Sequence, residues 1–116
     1  MGKDAFQIKS IIIYCDMIED AMNTFGNDIE DFMENVHYHN VCSFYISQIG
    51  EAIKPLSKEL TEKYPEIKWR EIRETRDDIA HIYHKIDMET IWVSITEDIP
   101  LLKKTCKRIL CELEKS

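Results

Sequence analysis

Apolar residues recur at intervals of three and four along most of this chain, and that period admits little other than amphipathic helices. Ile8, Ile11, Ile12, Cys15, Ile18, Met22 and Phe25 form the first such stripe. The spacing predicts a helix from about Asp4, an N-cap residue type, to Phe25, ended by Gly26-Asn27. With only three glycines and three prolines among 116 residues, the chain cannot supply the tight turns of an all-β fold. Its 44% hydrophobic and 32% charged content suits helices with one wet and one dry face, and one core of this size needs no metal or disulfide staple.

Four further segments follow. Asp28–Met33 reads as a short helix, and the polar stretch from Asn35 to Asn40 as a connector. A long helix then carries Val41, Tyr45, Ile49, Ala52, Leu56 and Leu60 on one face. Pro55 lies inside it, and its missing N–H predicts a kink near Glu51. Gly50 in mid-helix costs about 1 kcal/mol relative to alanine, which suggests a close helix crossing. Tyr64-Pro65 breaks the chain. A third long helix holds Trp69, Ile72, Arg76, Ile79, Ala80 and Tyr83. Ile86-Asp87 turns into the last one, whose stripe runs Ile91, Ile95, Ile99, Leu102, Cys106, Ile109 and Leu113, with a second kink expected at Pro100. Short connections between such segments imply one domain over residues 1–116, an all-α, up-and-down four- to five-helix bundle.

No stretch approaches the roughly 18 uncharged apolar residues of a membrane span, and Ile11–Cys15 is too short for a signal-peptide core, so a cytoplasmic protein without a membrane partner is expected. Cys15, Cys42, Cys106 and Cys111 lack CxxC spacing and fall in or beside apolar stripes, which reads as reduced, mostly buried thiols. The net charge of −7 weighs against nucleic-acid binding unless a local basic patch forms. Lys54, Lys58, Lys68, Arg70, Arg73 and Arg76 are the residues available for one.

Chemistry concentrates in Arg76-Asp77-Asp78-Ile79-Ala80-His81-Ile82-Tyr83. Asp77 and His81 stand four apart, so they share a helix face on which a carboxylate orients an imidazole. Arg76 and His81, five apart, diverge by roughly 140° on a regular helix. Either the helix is distorted there, or a second copy of the chain brings the two functions together. A solvated, salt-bridged face with His81 and Tyr83 at a core edge is the plainer alternative. A metal site from Asp77, Asp78, His81 and His84, joined by His37 or His39, is a third, though a di-iron bundle needs two Glu-x-x-His pairs. There is no GxxxxGK[ST] or GxGxxG loop.

Taken in order, Ile49-Gly50-Glu51-Ala52, Tyr64-Pro65-Glu66-Ile67, Trp69-Arg70-Glu71-Ile72, the Arg76–Tyr83 segment, Ile86-Asp87 and Trp92 through Asp98-Ile99-Pro100 closely resemble the HepT-like branch of the HEPN superfamily, the toxin half of prokaryotic toxin–antitoxin pairs. The resemblance covers nearly the whole chain and is strongest from Ile49 to Leu102. It implies a homodimeric bundle and a metal-independent, cofactor-free endoribonuclease, acting on RNA and not DNA, with its site assembled at the dimer interface. Arg76 and His81 match the catalytic pair, and Asp77 matches the polar position after the arginine, which would orient His81. Tyr83 matches the tyrosine that a minimal nucleotidyltransferase antitoxin AMPylates. Ile82, His84 and Pro55 depart from the usual residues at their positions. A different class stays open beside this one, namely a non-catalytic helical module that docks the nucleotidyltransferase.

Overall fold

The computed structural model describes residues 2–74 and 88–115. Every regular element among them is helical: α1 (Gly2–Phe25), α2 (Ile29–Glu34), α3 (Val36–Ile53), α4 (Lys58–Lys63), a helical stretch α5 over residues 69–74, α6 (Met88–Val93) and α7 (Ile99–Glu114). A π-helical turn, Ser94–Asp98, joins α6 to α7. The all-α bundle expected from the periodicity is what forms.

α1 is the central stave and packs against both α3 and α7. Its Ile8, Ile11, Cys15 and Ile18 are wholly buried, as are Cys42, Ile46 and Ile49 of α3 and Leu102, Cys106 and Ile109 of α7. Each fully buried aliphatic side chain of this kind contributes about 1.5–3 kcal/mol relative to exposure. At the surface, Lys103 of α7 reaches across to Asp16 at 2.7 Å and Glu19 at 3.0 Å on α1.

Gly26 closes α1 as expected. Its φ of +123° is reserved in practice for glycine, and its amide donates to Met22 O at 2.9 Å. A Cβ at this position would run into the Asp31 carboxylate. Asp4, however, does not cap α1. It lies in the first turn, buried, and its carboxylate accepts from the Ser57 amide at 2.9 Å and the Ser57 hydroxyl at 2.7 Å.

Three boundaries differ from the sequence reading, each for a local reason. Asn35–Asn40 is no connector, because the Asn35 side chain accepts from the His37 and Tyr38 amides and so starts α3 at Val36. Tyr38, fully buried, then donates its hydroxyl to Gly26 O at 2.9 Å. Pro55 does not kink a continuous helix; α3 stops at Ile53, and Ser57 restarts the chain as α4 by accepting from the Leu60 amide. Near Pro100 the expected kink takes the form of the π turn, in which the Ile99 amide donates to Ser94 O and Thr96 Oγ1 donates to Trp92 O at 2.9 Å. Gly50 is buried inside α3.

Candidate functional site

Arg76, Asp77, His81 and Tyr83, together with Asp78, His84 and Asp87, lie outside the described residues. What the structure describes is how the chain is held on either side of them. On the N-terminal side, Pro65 interrupts the helix and Trp69 resumes it. The Trp69 indole N–H donates to Tyr64 O at 3.0 Å while its ring is 8% exposed, and Ile72 below it is 6% exposed. α7 pins the same turn: Tyr64 donates its hydroxyl to Glu112 at 2.7 Å, Arg108 pairs with Glu66, and the Arg108 guanidinium lies 5.5 Å from the Tyr64 ring centre. Burial, then the Glu112 hydrogen bond, push the Tyr64 phenol up to about 12.

On the C-terminal side, α6 is anchored by Trp92. Its ring lies 5.4 Å from that of Phe32 and 6.3 Å, edge-on, from that of Tyr38. Phe32 and Tyr38 are fully buried, so α6 is docked on α2 and α3 by aromatic packing. Both tryptophans are therefore packing residues. Chain flanking the Arg76–Tyr83 segment is thus held on both sides by aromatic packing, through buried Trp69 and half-buried Trp92.

The basic patch forms in part. A cleft of about 320 Å³ opens between the end of α3, α4 and α5. Four cations line it: Lys54 and Lys58 from the end of α3 and the start of α4, and Arg70 and Arg73 from α5. Its floor is apolar, with Ile53, Leu56 and Trp69 each 8% exposed or less, and Thr61 adds a hydroxyl at the side. Arg70 pairs with Glu74 at 3.0 Å and Lys54 with Glu51 at 3.7 Å, but both pairs are well exposed and hold their partners weakly. Lys58 and Arg73 make no ion pair with any described residue. Lys68, expected in the patch, faces elsewhere and pairs with Glu71 at 3.9 Å; Arg76 is not among the described residues.

Ser57 is the residue whose importance was not legible. It caps α4 under the hold of Asp4, and so sets Lys58 on the wall of the cleft. The local signal was Pro55 followed two residues later by a serine, a helix stop and then a start.

The other candidate chemistries divide cleanly. The Cys42 and Cys106 thiols are driven up to about 12 by burial, and that of Cys15 higher still, so none is a nucleophile at neutral pH. Cys111 is exposed, unlike the other three. His39 lies with its ring 4.8 Å from Phe32, and His37 is in the first turn of α3. Among the described residues no group of His, Cys, Asp and Glu is arranged to hold a metal, and no helix is long and apolar enough to cross a membrane.

Comparison with known proteins gives one family, described as Ribonuclease HepT-like, matched over residues 11–109. A protein of Methanocaldococcus jannaschii named "Putative RNase" is 33% identical over 99 residues, spanning 84% of this chain and 85% of the relative. One of Caldanaerobacter subterraneus subsp. tengcongensis with the same style of name is 32% identical over 103 residues, spanning 89% and 90%. The "Probable ribonuclease HepT" of Thermococcus cleftensis is 42% identical over 55 residues, 47% of this chain and 50% of the relative. No solved structure matches the chain.

Proposed function

Because this chain belongs to the Ribonuclease HepT-like family, we propose that it is an endoribonuclease toxin in which Arg76 and His81 cut RNA without a metal or other cofactor. The observation that carries the proposal is the extent of the family match. Residues 11–109 take in Arg76, Asp77, His81 and Tyr83 along with the anchored chain on both sides. On this reading residues 1–116 are one HepT-like domain.

RNA carries its own nucleophile, the 2′-hydroxyl next to the scissile phosphate. A histidine, titrating near neutrality, takes the 2′-OH proton as the oxygen attacks phosphorus. The bond from phosphorus to the 5′ oxygen breaks, and that oxygen leaves with a proton from an imidazolium. The products are a 2′,3′-cyclic phosphate and a 5′-hydroxyl. Arg76, permanently charged and able to contact two phosphate oxygens, stabilises the charge that develops there. Asp77, four residues before His81, orients the imidazole.

The 140° divergence of Arg76 and His81 on a regular helix is resolved by a homodimer. Two copies facing each other present two histidines, one as base and one as acid, beside two arginines. Tyr83 is then the control point. A nucleotidyltransferase antitoxin that transfers AMP from ATP to its hydroxyl, with pyrophosphate as the leaving group and the phenol proton lost, places a bulky anion beside the site and repels the substrate.

The test is cleavage of total RNA by pure protein in EDTA. Wild type is expected to cut, and Arg76→Ala and His81→Ala to lose cutting by at least about a hundredfold, the scale of one acid–base or oxyanion group. Absence of cutting by wild type, or undiminished cutting by both variants, overturns the catalytic reading. Co-purification with a nucleotidyltransferase but no cutting and no growth arrest would instead identify a non-catalytic docking module. Adenylate mass increments on wild type, absent from Tyr83→Phe, are expected when the antitoxin is present.

A further inference from the structure

The cleft between α3–α4 and α5 is unusual for so acidic a chain. Two lysines and two arginines line one concavity although the net charge is −7. Like charges gathered in this way repel one another, so the arrangement is costly unless an anion occupies it. Lys58 and Arg73 have no anionic partner among the described residues, and the acids beside Lys54 and Arg70 hold them through exposed pairs that a phosphate readily displaces. Arg73 precedes Arg76 by only three residues in the sequence.

We infer that this cleft is a second, non-catalytic RNA contact, which grips backbone phosphates of the strand beside the scissile bond. The inference rests on the ribonuclease reading for the identity of the strand. Its chemistry fits phosphate better than base. The floor is apolar, but Trp69 cannot serve as a stacking platform, since it is 8% exposed and its N–H is already donated to Tyr64 O. What reaches the opening are ammonium and guanidinium groups, which recognise phosphate oxygens and carry no sequence information. The cleft therefore supplies affinity and register, and leaves the choice of bond to the residues around Arg76 and His81. An acidic peptide is a different occupant. Phosphates recur at a fixed spacing along a strand and each can accept two donors from one guanidinium, whereas carboxylates on flexible side chains have no fixed spacing.

The experiment uses the full chain and a fluorescent 12-nucleotide RNA, 2′-O-methylated throughout, which has no free 2′-hydroxyl and cannot be cut. Anisotropy is read against salt for wild type, for Lys58→Gln/Arg73→Gln, and for Lys107→Gln, which removes a cation from the exposed side of α7. The double variant is expected to bind at least about tenfold more weakly at 0.1 M salt. Its plot of log affinity against log salt should be shallower by about 1.4, two phosphate contacts at roughly 0.7 each for a single strand. Lys107→Gln should leave the slope unchanged. Circular dichroism and a urea midpoint verify that the double variant is folded; if it is not, Lys58→Gln and Arg73→Gln are read singly, each with half the change in slope.

Three results overturn the inference: no binding by wild type at low salt, an unchanged slope in the folded variants, or a poly-glutamate 12-mer that binds as tightly as the RNA. The outcome is separable from that of the catalytic proposal. Protein that grips the uncuttable strand through the cleft but cuts no RNA refutes ribonuclease activity and supports the cleft. Protein that cuts RNA while its variants bind like wild type refutes the cleft alone.

Discussion

Asp4 and Ser57 are joined by two hydrogen bonds, to the serine amide at 2.9 Å and its hydroxyl at 2.7 Å, across 53 residues of chain. That hydroxyl in turn accepts from the Leu60 amide at 3.2 Å. One buried carboxylate thus organises the start of α4. Hydrogen bonds to a charged group contribute about 1.5–3 kcal/mol, so Asp4→Ala is expected to destabilise the fold by that amount. Ser57→Ala removes the cap as well, at about 1–2 kcal/mol. Urea unfolding of both single variants and the double one gives the coupling; if the two losses simply add, the two residues do not act as a unit.

Phe32 is the only buried residue of α2, a helix of six residues, and its ring meets those of Tyr38, His39 and Trp92. Phe32→Ala should cost about 3–5 kcal/mol in urea unfolding, the range for a buried aromatic truncated to a methyl group. The near-ultraviolet circular dichroism of Trp92 should weaken in parallel. A loss below about 1 kcal/mol would mean that α2 is not held by this ring.

Thiol labelling separates the cysteines. Cys15, Cys42 and Cys106 are fully buried and their thiols stay protonated at neutral pH, while Cys111 is exposed. An aromatic disulfide reagent at pH 8 is expected to modify one thiol per chain quickly and the remaining three only after unfolding. Rapid reaction of two or more thiols in native protein would contradict this packing.

Alkali should weaken the fold. Burial raises Cys42 and Cys106 from 9.0 to about 12, and burial likewise raises Tyr38 and Tyr64 from 10.0 to about 12. A group whose pKa is higher folded than unfolded keeps its proton only in the folded state between the two values. The folded state then binds more protons than the unfolded one, so stability falls as pH rises through that window. Each of the two fully buried thiols contributes a slope of up to about 1.4 kcal/mol per pH unit. Urea midpoints should hold steady from pH 7 to about 8.5 and then drop steadily toward pH 11.5. A flat profile to pH 11 would show that these groups ionise without cost.

The long stripes were the legible part of the fold, because an apolar period of three and four leaves a helix one face to bury; α1 and α7 follow directly. The breaks were harder to read. Proline inside an apolar stripe is compatible with a kink, a stop or a π turn, and the choice depends on hydrogen bonds that the stripe does not display. At Pro55 it is settled by Asp4 holding Ser57, and before Pro100 by bonds such as that from Ile99 to Ser94 O. The Asn35–Asn40 stretch misled through its polar composition, since one asparagine was a cap and one tyrosine was core. Of the six cations named for a basic patch, Lys54, Lys58, Arg70 and Arg73 meet in the cleft, and Lys68 does not. Proximity in sequence could not foresee that, because Lys54 and Lys58 reach Arg70 and Arg73 only through the turn that Trp69 and Tyr64 lock.

The cleft also gives the molecule a handedness toward charge at long range. Lys54, Lys58, Arg70 and Arg73 line one cleft on a chain whose net charge is −7, so the potential at the cleft opposes that of the chain as a whole. An acidic remainder repels a polyanion and a cationic cleft attracts one, so on the inferred role encounters at the cleft are favoured over encounters elsewhere. On the inference that the cleft holds RNA, the acidity that at first counts against binding a nucleic acid instead helps to direct the strand to one place on the surface.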